Sequence, residues 1–188
     1  MEAGAAQPGG DAVGRRLLLA GGLGGAVALT LGIYGSVHNP SQQLVFDLFF
    51  PSTIAMKVWF GSVAVAFAIV QVSSALWIYG KLPWSAPDWA GEAHRISGRM
   101  AFLFSLPVAY HCLWSLGFQD TSARVLAHSL LGCAFYGAFA AKVVIVRSER
   151  LPGIALPIAG GLVFAILVAV WFTSAFWFIT NMGGFPSL

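Results

Sequence analysis

The chain has 188 residues, of which 58% are apolar and only 9% charged. Soluble domains carry roughly a quarter charged residues, so the composition excludes an ordinary soluble globule. The net charge of +3 is small, and with no basic recognition motif nucleic acid is excluded as a partner.

Residues 1–14 are rich in Gly, Ala and polar types and are expected to form a disordered cytoplasmic tail. Arg15 and Arg16 then precede an apolar run. That run is too long for the core of an export signal, and no clear small-x-small cleavage site follows it. Helix 1 is therefore expected over 16–37 and to be retained. Gly21, Gly25 and Gly32 within it suit close helix contact. His38 ends the helix, and Asn39, Pro40 and Pro51 mark a loop. The apolar stretch 44–50 is expected at the membrane interface. Helix 2 covers 54–80, followed by a loop whose Trp84 and Trp89 fit an interfacial aromatic belt. Helix 3 covers 92–117, with Pro107 in its interior, where a kink is expected. The turn at 118–121 is short, which makes helices 3 and 4 antiparallel neighbours. Helix 4 covers 122–147 and helix 5 covers 154–180, leaving 183–188 as a short outer tail.

A spanning helix needs about 20 predominantly apolar residues, and each segment supplies them. The expected fold is all-α: a polytopic transmembrane bundle of five helices forming a single domain over 15–182, with no internal repeat. Orientation follows from the basic residues. Arg15, Arg16, Lys81, Arg95, Arg99, Arg147 and Arg150 fall on the side of the N-terminus, with Lys142 near that boundary; only Lys57 and Arg124 fall opposite. This places the N-terminus in the cytoplasm and the C-terminus outside, in a multi-pass protein of the cell membrane.

Four histidines carry the chemical information, because ionisable groups inside a membrane are costly and mark function by default. His111 lies eight residues before Gln119 and His128 nine after it. At 1.5 Å per residue both sit roughly 12–14 Å from the turn, at one depth on adjacent antiparallel helices. That spacing suits a metal-porphyrin held edge-on, with His111 and His128 as axial ligands to haem iron. Gly132 follows His128 by four residues, and Gly98 follows His94 by four, so each glycine shares a face with its histidine and leaves room for a macrocycle; the same glycines also permit tight helix packing. His94 lies roughly 25 Å from His111 along a straight helix. It either ligates a second haem or stands as an interfacial histidine beside Arg95 and Arg99. His38 is either an alternative ligand or an interfacial group. Lys57 is either a partner for a propionate or Asp47, or a snorkelling anchor. Cys112 and Cys133 fall inside spans and suit buried small hydrophobes; no CxxC, CxxCH or zinc spacing is present.

The stretch HRISGRMAFLFSLPVAYH, His94 to His111, resembles the helix in ferric-reductase-like and cytochrome b561-like proteins that opens on an HRxxGR-type element and carries a second histidine further on. The resemblance implies a helical bundle that holds b-type haem through paired histidines and passes electrons across the membrane. It extends over helix 3 and, through His128, into helix 4. The His94–His111 spacing is longer than that pattern's, and helix 4 has one histidine where the pattern has two. The whole chain also resembles an uncharacterised family of small five-helix actinobacterial membrane proteins sharing GIYGSVHNP, SALWIYGKLP and PVAYHCLWSLGFQ.

The expected function is a membrane b-type cytochrome, an electron-transfer subunit or oxidoreductase. It would carry one haem b, with a second open, and exchange electrons near the outer face with a redox partner protein or quinone. The bilayer is its other partner, and a homo-oligomer is open. The alternative is a non-redox membrane protein, a transporter subunit or assembly partner, whose histidines line a polar cavity. A membrane enzyme using another metal is disfavoured, because carboxylates are scarce and lie at interfaces.

Overall fold

The computed structural model describes residues 10–43, 46–148 and 151–188. Its elements are α1 (Gly10–Val37), α2 (Thr53–Ile78), α3 (Ala90–Tyr110), a π-helical segment His111–Leu116, α4 (Ala123–Arg147), α5 (Ala155–Trp171), a second π-helical segment Phe172–Phe176, and a last helical turn, α6 (Trp177–Asn181). Among the described residues there is no strand. The five expected helices are all present, shifted by a few residues at their ends. The largest shift is at the start, where α1 begins at Gly10 instead of near residue 16, so residues 10–14 of the expected disordered tail are helical; residues 1–9 lie outside the described residues.

Local chemistry accounts for the helix starts that matter here. Ser52 caps α2 by accepting from the Ala55 N–H, and Ser122 caps α4 by accepting from the Val125 N–H. Both caps sit at the end of the bundle that holds the His111 and His128 segments. The expected kink at Pro107 takes another form: α3 runs on past the proline and widens into the π segment one turn later.

Four helices are long and apolar enough to cross a membrane: Ala12–Val37, Thr53–Ile78, Ala123–Arg147 and Ala155–Asn181. They turn their apolar side chains outward, with Leu18 77% and Ile158 61% exposed. A water-soluble monomer does not carry apolar surface on that scale, so a bilayer is the environment these helices fit. α3 falls outside this set because Glu92, Arg95 and Arg99 lie in its first turns. It nevertheless follows α2 antiparallel along its length, from Trp89 against Trp77, through Gly98 against Gln71, to Phe104 against Phe60.

The helices pack in the order α3, α2, α5, α4, α1, and α1 returns to the π segment that follows α3. The packing is uneven. α1 and α4 approach backbone to backbone, and a Cβ at Gly24 would lie 2.6 Å from the Gly137 carbonyl oxygen. α3 and α4 meet only through long side chains: the Tyr136 hydroxyl donates to the Ser105 carbonyl at 3.1 Å, and the Phe102 and Phe139 rings stack at 4.2 Å. The two are antiparallel neighbours as expected, but in side-chain contact without close backbone packing. Each spends its packing surface elsewhere, α3 on α2 and α4 on α1 and α5, and a furrow remains between them. The glycine expectation is corrected in part. Gly21 and Gly25 face open space, Gly32 meets the Cys133 Sγ of α4, and within α1 the close approaches are made by Gly24, against Gly137, and Gly35.

Seven described cations, Arg15, Arg16, Lys81, Arg95, Arg99, Lys142 and Arg147, lie at the end holding the start of α1; Lys57 and Arg124 lie at the opposite end. Arg150 falls outside the described residues. At the cation-poor end, Phe46 and Phe50 of the loop expected at the interface turn inward, onto His111 and Phe60 respectively; Leu44 and Val45 lie outside the described residues. The C-terminal tail is tied down, since the Trp59 indole N–H donates to the Pro186 carbonyl at 3.0 Å.

Candidate functional site

Inside a membrane helix every backbone polar group is already paired, so a buried side-chain polar atom with no partner stands out. Among the described residues three such atoms exist: Thr53 Oγ1, His111 Nε2 and Ser115 Oγ. All three lie at the cation-poor end, and His111 and Ser115 share the π segment. His111 is only 1% exposed. Its Nδ1 faces the Pro107 carbonyl at 3.0 Å. A carbonyl only accepts, so Nδ1 carries the proton and Nε2 presents a bare lone pair to the interior. Phe46 meets the ring edge-on at 4.4 Å.

His128 is held in the same sense. The Thr173 hydroxyl donates to the carbonyls of Ala169 and Val170 at 3.0 and 2.9 Å, so it receives the Nδ1–H of His128 at 3.2 Å. The remaining ring nitrogen, Nε2, then carries no proton in the neutral ring. Thr173 also anchors Arg124, which donates to its carbonyl at 2.6 Å and lies 4.0 Å over the Trp177 ring. His111 opens the first π segment, and Thr173 sits in the second. π-helical turns are rare and concentrate at functional sites, where the extra residue re-aims a side chain. Lys57 lies close enough to act electrostatically on both His128 and Cys112, the residue after His111.

A Thr173→Val substitution removes the oxygen that fixes the His128 ring and leaves the backbone contact to Arg124 in place. The expected outcome is a His128 signal shared between both imidazole tautomers in nitrogen NMR, with about 1 kcal/mol of stability lost.

The other expected site residues divide. Gly132 faces open space, as the macrocycle argument requires. Gly98 does not: the Gln71 side-chain amide packs directly over it, so no room for a ring remains beside His94. His94 itself donates from Nδ1 to the Gln71 carbonyl at 2.9 Å, with Ser74 beside it, and works as a clamp between α2 and α3. His38 stacks between Tyr34 and Trp114 and donates from Nε2 to the carbonyls of Trp114 and Leu113 at 2.9 and 3.2 Å. It caps the open carbonyl end of the π segment. His38→Ala is expected to cost about 1 kcal/mol in a thermal unfolding measurement while leaving His111 in place.

The model of a protein family of unknown function, DUF6529, matches residues 17–185. The chain belongs to the DUF6529 family. No curated protein and no solved structure matches it.

In this DUF6529 chain no group of three or more His, Cys, Asp or Glu side chains converges among the described residues, so the site offers a pair of imidazoles and not a closed metal cage. Both cysteines are free. Sequence reasoning passed over two contributors. The Thr173 hydroxyl bonds back to its own helix, as hydroxyls in spans usually do, and that very bond makes it an acceptor for His128. The α3–α4 furrow had no local signal, because its basic mouth and apolar walls form only where the surfaces of two helices are set side by side.

Proposed function

We propose that this chain is a membrane b-type cytochrome in which His111 and His128 hold a haem b near the outer face. The single observation that carries the reading is the buried His111 imidazole, with its Nδ1–H on the Pro107 carbonyl and its Nε2 lone pair unpartnered in the interior. Haem-ligating histidines present a neutral ring nitrogen and donate the other N–H to a carbonyl or hydroxyl, and both histidines are tethered in that manner. The residues at hand therefore fit the group.

When bound, haem supplies a one-electron couple whose potential follows ligand identity, burial and the hydrogen bonds to the ligands. The chain's own residues set those terms. The Pro107 carbonyl and the Thr173 hydroxyl hold the rings and raise their basicity. Gly132 leaves the backbone beside His128 uncovered. Lys57 supplies a positive charge for a propionate. In this reading α3 also crosses the membrane, giving five spans with the cation-rich end in the cytoplasm, and electrons pass to a redox protein or quinone at the outer side. The likeness of the His94–His111 stretch to cytochrome b561-like proteins supports the same assignment.

A reduced-minus-oxidised absorption spectrum of the purified chain, with a pyridine haemochrome assay, tests the proposal. A Soret band and about one haem per chain are expected. A colourless, haem-free protein from cells able to make haem would overturn it. That result would favour the alternative, a non-redox membrane protein.

A further inference from the structure

The furrow between α3 and α4 has a chemistry the histidine pair does not use. At the cation-rich end it opens as a cavity of about 520 Å³ between the two helices. Arg95 and Arg99 enter its lining from α3, and Lys142 and Arg147 enter from α4. Among the described residues no Asp or Glu lines it and none of the four makes an ion pair. Below this mouth the walls are apolar, with Leu103 and Phe139 in the lining. Leu103 also borders a second apolar cavity that runs along α3 past Pro107 to Leu113, with Tyr136 of α4 and Leu31 of α1 on its other side. From Arg95 to Leu113 the furrow follows roughly 27 Å of helix, deeper than one leaflet of a hydrocarbon core about 30 Å thick.

A general excess of basic residues at one membrane face needs only a topology to explain it. The convergence of four cations from two helices on one cavity that leads into an apolar channel needs more. A basic pocket between membrane helices is a site for an acidic lipid headgroup. We propose that this furrow binds one anionic phospholipid from the leaflet at the cation-rich side, its phosphate among Arg95, Arg99, Lys142 and Arg147 and one acyl chain between α3 and α4. The lipid replaces the backbone packing these two helices lack and holds them at a fixed separation. The inference is independent of the haem assignment.

Spin-labelled lipids test it with the full-length chain in phosphatidylcholine vesicles. The wild type is expected to immobilise labelled phosphatidylglycerol over labelled phosphatidylcholine by at least about fivefold. An R95Q/R99Q/K142Q variant is expected to bring the two lipids within about twofold. Leu103→Trp fills the channel without touching charge and is expected to remove the preference as well. Equal immobilisation of both lipids by the wild type overturns the proposal, as does a preference that survives the triple substitution. A preference kept by the Leu103→Trp protein overturns it too, since it would report diffuse surface charge. Should the triple variant lose its helical circular dichroism, Arg99→Gln, at an exposed position, and Leu103→Trp decide the matter alone.

Discussion

His111→Leu is expected to lower the haem content of the purified protein by at least about tenfold while leaving the haem-free protein as stable as before, or more stable by about 1 kcal/mol. The two effects have opposite signs for one reason. The unpartnered Nε2 of His111 is buried at 1% exposure, and a buried polar atom without a hydrogen bond costs about 1–3 kcal/mol. A leucine of similar volume removes that cost. The Pro107 carbonyl is not orphaned in exchange, because it still accepts from the backbone N–H of residue 111. A residue kept at a loss to stability is the signature of a group retained for binding. Haem content by absorbance, and unfolding in detergent mixtures of the haem-free form, read the two effects separately. An unchanged haem content would remove His111 from the ligand pair. A matched His94→Ala variant is expected to keep its haem, since that ring is spent on the Gln71 carbonyl.

Gly137→Val is expected to be the most damaging substitution for the fold itself. Gly24 and Gly137 lie at the crossing of α1 and α4, and a Cβ at position 137 would lie 2.5 Å from the Gly24 carbonyl oxygen and 2.9 Å from the Ala28 Cβ. Both close neighbours belong to a rigid helix, so neither yields as a flexible side-chain tip would. Overpacking of this kind costs typically 1–3 kcal/mol. In a bilayer, where helices associate through close packing without a hydrophobic drive between them, the opened crossing has little to compensate it. The expected result is a lowered thermal midpoint and loss of the α1–α4 contact, read by disulfide trapping between cysteines placed across it. Gly21→Val and Gly25→Val, one turn or less away on the same helix but facing open space, serve as controls and are expected to have little effect. Comparable destabilisation at Gly25 would refute the crossing.

The contrast between Gly24 and its neighbours marks where local reading stops. The number of helices, their extents to within a few residues, the membrane as solvent and the uneven distribution of cations were all legible. They depend on the length of apolar runs and on charge, which are properties of single segments. His111 and His128 stood out for the same reason, since an ionisable residue in an apolar run is conspicuous without any neighbour. Which glycines meet another backbone was not legible. Gly21, Gly24 and Gly25 are equivalent as letters, and only the rotation of α1 against α4 selects one of them. The turn at 118–121 suggested that α3 and α4 pack together, but chain adjacency fixes only which helices can meet. Shape decided that α3 lies on α2 and α4 on α1. The roles of the other histidines were decided by partners far along the chain, the Gln71 carbonyl for His94 and the Trp114 carbonyl for His38. The Thr173 tether of His128 likewise exists only once α4 and α5 are side by side. Apolar length and charge are one-dimensional quantities and survive in the string of residues. Helix rotation, hydrogen-bond partners and the unfilled space between helices arise from surfaces brought together from distant parts of the chain, and only the tertiary structure specifies them.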